Sequence, residues 1–237
     1  MVLSFFRVLY AVLATVLVGI IELIAIPFDR KGRMFHLLAQ IHSRSILKVC
    51  GVNVNVQGLE NIDKSRSYIF VSNHASLFDI PSVISGIPQE IRIMFKKELS
   101  RIPFWGWGLK LSKVYIEVDR GKGQDAIRSL EDAAIKMRGG SSVLLFAEGT
   151  RTRDGKLQQF KRGAFYLAMR SGFPVVPLTI NGSFSILQKD SFNIRPGTIT
   201  LILDKPIEPP PIIGKEAENQ LRERVQDIIR SHYVEQQ

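Results

Sequence analysis

His74 and Asp79, five positions apart in Asn73-His74-Ala75-Ser76-Leu77-Phe78-Asp79, are residue types that can handle a proton together. An imidazole that titrates near 6.5 in isolation can take a proton from a hydroxyl at neutral pH. A carboxylate on its other ring nitrogen fixes the tautomer and steadies the imidazolium that forms. On one continuous helix the two residues would be turned about 140° from each other. They meet only if His74 lies in a loop and Asp79 at or near the start of the following helix. Pro81 agrees with this, because proline is tolerated in a first helical turn, and aspartate is a good N-cap. The same facts fit a plainer reading, an N-cap beside an ordinary loop histidine. With four histidines and ten aspartates in the chain, an H-x-x-x-x-D spacing arises by accident roughly one time in six. The pair alone does not decide.

A second group of residues suits an anionic ligand. Arg151 offers a planar fork to a phosphate, and it follows Gly149-Thr150, where the backbone can approach closely and donate N–H groups. The net charge of +10 is unevenly placed: residues 1–50 carry +4, residues 92–113 carry +5 and residues 151–162 carry +4. Charge clustered in this way points to a phosphate, an anionic membrane or a nucleic acid, or to solvated faces. Arg153, Lys156, Lys161 and Arg162 read as a solvated face or as contacts to headgroups. The single cysteine, Cys50, excludes a disulfide within the chain and leaves no cysteine cluster for zinc; it reads as a small buried apolar residue.

The elements that must position these residues follow from periodicity. A chain of 237 residues with 45% hydrophobic content suffices for one sizeable core plus an appendage. Strand-like runs at 52–56, 67–72, 90–95, 113–118, 142–147, 174–180 and 198–204 alternate with helical patterns at 77–85, 104–111, 124–137, 164–171 and 215–233. This predicts an α/β domain with a mostly parallel central sheet flanked by helices. Three polar stretches follow three of the strands directly: 73–79, 96–101 and 148–155. If those strands are parallel, the stretches share the sheet edge at which open α/β sheets bind ligands.

Ahead of this domain, residues 8–26 form an apolar run broken only by Glu22, in the length range of a spanning helix. The run lacks a clear cleavage site for a signal peptide. Residues 34–52 read as an amphipathic helix containing His36 and His42. The basic residues of the intervening turn, Arg30, Lys31 and Arg33, favour anionic headgroups or the cytoplasmic side. The expected division is residues 1–50 as membrane-anchoring helices and 51–237 as the catalytic domain. The Phe104-Trp105-Gly106-Trp107-Gly108 stretch suits either core packing or the presentation of Trp105 and Trp107 to a membrane interface.

Four blocks occur in order: His74-x-x-x-x-Asp79; Lys96-Lys97-Glu98-Leu99 with Pro103-Phe104-Trp105-Gly106; Phe146-Ala147-Glu148-Gly149-Thr150-Arg151; and Val176-Pro177-Leu178. Together they resemble the glycerolipid acyltransferase family, most closely its bacterial 1-acylglycerol-3-phosphate acyltransferases, over about residues 50–205. Ala147 stands where the family usually has proline. The resemblance implies His74 as the general base and Asp79 as its orienter, with Lys96, Glu148, Gly149, Thr150 and Arg151 at the acceptor site. It implies acyl-CoA or acyl carrier protein as donor, lysophosphatidate as acceptor, contact with membrane lipids, and neither a cofactor nor a metal. The location it implies is the cytoplasmic face of a bacterial inner membrane. Glycerol-3-phosphate or another lysolipid is the alternative acceptor. Two readings from other classes are a metal-dependent phosphohydrolase that uses His74 and Asp79 as ligands, and a non-enzymatic module that docks on anionic lipid. No nucleic-acid motif is present, and the apolar N-terminus argues against nucleic acid as a partner.

Overall fold

The computed structural model describes residues 2–29, 32–112, 114–118, 123–211 and 214–235. Among these, seven strands form one sheet: β1 (Val52–Gln57), β2 (Ile69–Ser72), β3 (Ile91–Lys96), β4 (Ile116–Val118), β5 (Ser142–Phe146), β6 (Val175–Asn181) and β7 (Gly197–Leu203). Their order is β1-β7-β6-β2-β5-β3-β4. The five strands from β6 to β4 run parallel; β7 is antiparallel to β6, and β1 lies parallel to β7. A mostly parallel sheet is thus present, with a reversed pair at one edge. The composition follows position in the sheet: all four residues of central β2 are buried, whereas edge strand β1 alternates valine with exposed Asn53, Asn55 and Gln57.

The helices are α1 (Val2–Ala25), α2 (Arg33–Cys50), α3 (Asp79–Gly86), α4 (Trp105–Ser112), α5 (Gly123–Arg138), α6 (Gly163–Ser171), α7 (Ser183–Ile186) and α8 (Lys215–His232). Alternate strand residues serve opposite layers. Phe70, Leu144 and Val176 pack with Phe35 and Leu47 of α2, Val83 of α3 and Leu109 of α4. Ile69, Val71, Val143 and Val175 pack with Ala133 of α5, Phe165 of α6 and Val225 of α8. Pro177 is accommodated within β6 because pairing with β7 begins one residue later, at Leu178, and its carbonyl accepts the Asp204 N–H at 3.0 Å.

The N-terminal helices are packed onto this domain. Cys50 is fully buried at the end of α2, which Gly51 closes in the left-handed region with φ 70°. α2 thus ends in a turn, and its inner face belongs to the core through Phe35 and Leu47. α1 crosses α4 closely: a Cβ on Gly19 would lie 2.7 Å from the Trp105 Cα. The Ser4 hydroxyl donates to Asn193 Oδ1 at 2.9 Å, and Arg7 donates to the Ile194 carbonyl at 3.0 Å. Away from these contacts the face of α1 is apolar and open, with Phe5, Leu13, Leu17 and Ile24 more than half exposed. α1 and the 3-10 turn after it are together long and apolar enough to cross a membrane.

Several expectations are corrected in detail. α1 begins at Val2, before the apolar run that predicts it. The strand expected at 113–118 is shorter, Ile116–Val118; Lys113 lies outside the described residues, as do Arg30 and Lys31 of the basic turn. Of the two tryptophans, Trp105 packs against the core, while Trp107 is exposed and lies 5.5 Å from the Phe104 ring. Core packing thus holds for Trp105, and Trp107 lies at the surface.

Candidate active site

The chain leaves β2 toward β3 but leaves β5 toward β6, although β2 and β5 are neighbours. Adjacent strands whose crossovers depart in opposite directions open a crevice at their C-terminal ends. The register pairs Ser72 with Phe146 across these strands, so the loops that begin at Asn73 and Ala147 start side by side.

The first loop is held by side chains. Asn73, almost fully buried, donates from its amide to the Ile180 carbonyl at 2.9 Å and accepts the Ile180 N–H at 2.8 Å. This imitates a strand pairing and lets the main chain turn away. His74 lies in the loop and Asp79 is the first residue of α3. His74 Nδ1 is 2.7 Å from Asp79 Oδ2, and that oxygen also accepts the backbone N–H groups of Ala75 at 2.8 Å and Ser76 at 2.9 Å. The expected N-cap role is therefore corrected. Phe78 occupies the cap position without a side-chain cap bond, and the Asp79 carboxylate reaches backward into the loop. Pro81 does fall in the first turn of the helix.

The Asp79 side chain is fully buried, whereas that of His74 is 16% exposed. The His74 ring stacks on Phe146, with centroids 3.9 Å apart and planes 15° from parallel. With Nδ1–H donated to the Asp79 carboxylate, Nε2 is the nitrogen left as an acceptor. A ring fixed by stacking on one face and by a buried carboxylate at one nitrogen is oriented before any ligand arrives.

The second loop braces the first. Glu148 Oε1 accepts the His74 backbone N–H at 3.1 Å, and the His74 carbonyl accepts the Thr152 N–H at 2.9 Å. Glu148 is thus placed behind His74 and is nearly completely buried. Burial pushes its carboxyl up to about 8; the bond from the His74 N–H opposes this and the Asp79 charge adds to it. Ala147 donates its N–H to the Ser72 carbonyl at 2.9 Å, a bond that the family's usual proline would not make.

The elevated Glu148 pKa has a measurable consequence. Between the ordinary value of 4.5 and about 8, the folded chain holds a proton that the unfolded chain has released. Stability from this site is therefore fully present below the lower value and is lost as pH rises through the upper one. Glu148→Gln cannot titrate. Thermal melts from pH 5 to 8.5 should show the wild type losing on the order of a few kcal/mol relative to this variant. Parallel curves for the two proteins would contradict the assignment.

Gly149 follows with φ 74°, and a Cβ there would lie 2.9 Å from Lys161 Nζ. The left-handed backbone conformation favours glycine here. Thr150 is exposed; its hydroxyl accepts from Lys189 at 3.1 Å. Arg151 is partly exposed, and Lys96, at the end of β3, is exposed; neither side chain has an ion pair or hydrogen bond among the described residues. Of the flanking cations, Arg162 is committed to Glu218 through two bonds of 2.8 and 3.0 Å. Sequence reasoning did not assign Asn73, Phe146 or Lys189 to this site. The first two lie within recognisable blocks, but Lys189 lies in none.

The family model described as Acyltransferase matches residues 53–181. A chloroplastic 1-acyl-sn-glycerol-3-phosphate acyltransferase of Brassica napus is 34% identical over 200 residues, covering 83% of this chain and 58% of the relative. The 1-acyl-sn-glycerol-3-phosphate acyltransferase of Saccharomyces cerevisiae is 31% identical over 206 residues, covering 82% of this chain and 67% of the relative. The chain thus spans less than two thirds of the length of the Brassica protein. The crystal structure of the 1-acyl-sn-glycerophosphate (LPA) acyltransferase PlsC from Thermotoga maritima superposes with a TM-score of 0.79 at 26% identity, covering 98% of this chain and 94% of that one. The family model spans over half of the chain, which carries the H-x-x-x-x-D pair as a bonded unit at a sheet crevice: the protein belongs to the acyltransferase family.

Proposed function

We propose that this protein transfers an acyl group from an acyl thioester, acyl-CoA or acyl carrier protein, to the free hydroxyl of 1-acylglycerol-3-phosphate, giving phosphatidic acid. The observation that carries the reading is the 2.7 Å contact between His74 Nδ1 and the buried Asp79 carboxylate, which leaves Nε2 as the accepting nitrogen. In the proposed step Nε2 takes the acceptor's hydroxyl proton as the oxygen attacks the thioester carbonyl. Asp79 stabilises the imidazolium. The tetrahedral intermediate collapses with loss of the thiolate, which recovers the proton from His74 and leaves as a thiol. No acyl-enzyme and no cofactor enter this sequence.

Lys96, Gly149, Thr150 and Arg151 form the proposed acceptor-phosphate site, supported by the two exposed or partly exposed cations and by the glycine that permits close backbone approach. Glu148 supports that loop and His74 together. Residues 1–50 are the proposed membrane anchor and 51–237 the catalytic domain, with α2 contributing to both. The open apolar face of α1 supports this, and the basic residues near the turn favour the cytoplasmic side of a bacterial inner membrane. Purified protein should release thiol from an acyl-CoA only when lysophosphatidate is added, without inhibition by EDTA, and should form phosphatidic acid. Thiol release abolished by EDTA, or independent of acceptor, would count against the reading; faster reaction with glycerol-3-phosphate would replace the acceptor.

Arg151→Ala should act through the acceptor. Loss of a charge-assisted contact to phosphate corresponds to roughly 1.5–3 kcal/mol, or about 10–150-fold in acceptor kcat/KM. Arg151→Lys should restore little, because a point charge does not reproduce the fork. Unchanged acceptor kinetics in the alanine variant would remove Arg151 from the site.

A further inference from the structure

The segment after α7 touches both loops of the candidate site. The Leu187 carbonyl accepts the buried Ser76 hydroxyl at 2.8 Å, and Ser76 is one of the residues whose N–H holds Asp79. Two residues on, Lys189 Nζ donates to the Thr150 hydroxyl at 3.1 Å and approaches the Arg151 carbonyl at 3.5 Å. Asp190 follows in the left-handed region, with φ 63°, a conformation that aspartate tolerates better than most residues. Its carboxylate lies 3.6 Å from Arg153. Residues 187–190 therefore bridge the His74 loop and the 149–151 loop, which come from different strands.

We propose that Lys189 is a positioning residue for the phosphate-bearing acceptor. It fixes the Thr150 side chain and the main chain at Arg151, and so sets where the guanidinium starts from. An ammonium has three N–H groups, and the two contacts to this loop leave one over. Lys189 also places a further positive charge beside Arg151, where a dianionic phosphate would benefit from it. Lys161, packed against Gly149, flanks the same loop. The inference rests on the reading that residues 149–151 hold the acceptor phosphate.

The test uses the full chain in mixed micelles, with Lys189→Ala, Lys189→Arg and Arg151→Ala compared by steady-state kinetics and thermal melting. Lys189→Ala should raise the lysophosphatidate KM roughly 5–10-fold, a partly exposed contact being weaker than a buried one. The acyl-CoA KM, kcat and Tm should stay close to wild type, and Lys189→Arg should recover most of the loss. An unchanged acceptor KM in Lys189→Ala, beside a raised one in Arg151→Ala, would overturn the role of Lys189 alone. A parallel loss of kcat, both KM values and Tm would reduce Lys189 to a structural tie and equally overturn it. An unchanged acceptor KM in Arg151→Ala would bring down the acceptor loop itself, and the inference with it.

Discussion

His74→Ala is expected to lower kcat by at least roughly 10²-fold, the usual scale for removing a positioned general base. The substitution should leave the fold and membrane attachment intact. The side chain is partly exposed and the loop is held through backbone groups, with the His74 N–H on Glu148 and its carbonyl on Thr152. Alanine keeps both bonds. What disappears is the proton acceptor and the ring stacked on Phe146. Because the hydroxyl proton must still leave, an exogenous imidazole small enough to enter the space should recover part of the rate. A variant within a few-fold of wild type would show that the proton goes elsewhere.

Asp79→Asn should also lower kcat steeply, on the order of 10²-fold or more, although it is nearly isosteric. An amide oriented to accept the Ala75 and Ser76 N–H groups could replace those two bonds of the carboxylate. It cannot stabilise an imidazolium, and if its NH₂ group faces the ring instead, it selects the wrong tautomer. Since α3 starts with Phe78 in the cap position, helix capping gives no separate reason for the aspartate. A fully active asparagine variant with unchanged Tm would reduce Asp79 to a loop tie.

The sequence makes some of this visible for physical reasons and hides the rest. Buried parallel strands such as Ile69–Ser72 and Val175–Asn181 announce themselves as short apolar runs, because both faces are covered. The direction of β1 and β7 does not, since periodicity reports burial and says nothing of the way a strand enters the sheet. Strand β4 shrinks to Ile116–Val118, although Val114 and Tyr115 before it are buried; burial without pairing looks the same in sequence. The His74–Asp79 contact is readable because one short stretch of loop separates His74 from Asp79 at the start of α3. The backward turn of the Asp79 carboxylate is not, because aspartate at a helix start is ordinarily a cap. Glu148 bracing His74 across 74 residues, and Lys189 holding Thr150 across 39, depend on strand order that local spacing does not encode.

The account stands most directly on a single-turnover measurement of thiol release from acyl-CoA by enzyme in excess. Direct attack by the acceptor predicts no burst of thiol in the absence of lysophosphatidate. On its addition, stoichiometric release should follow together with phosphatidic acid, at a rate reduced at least roughly 10²-fold in His74→Ala. A stoichiometric burst of thiol without acceptor, or release in His74→Ala at close to the wild-type rate, would contradict the account.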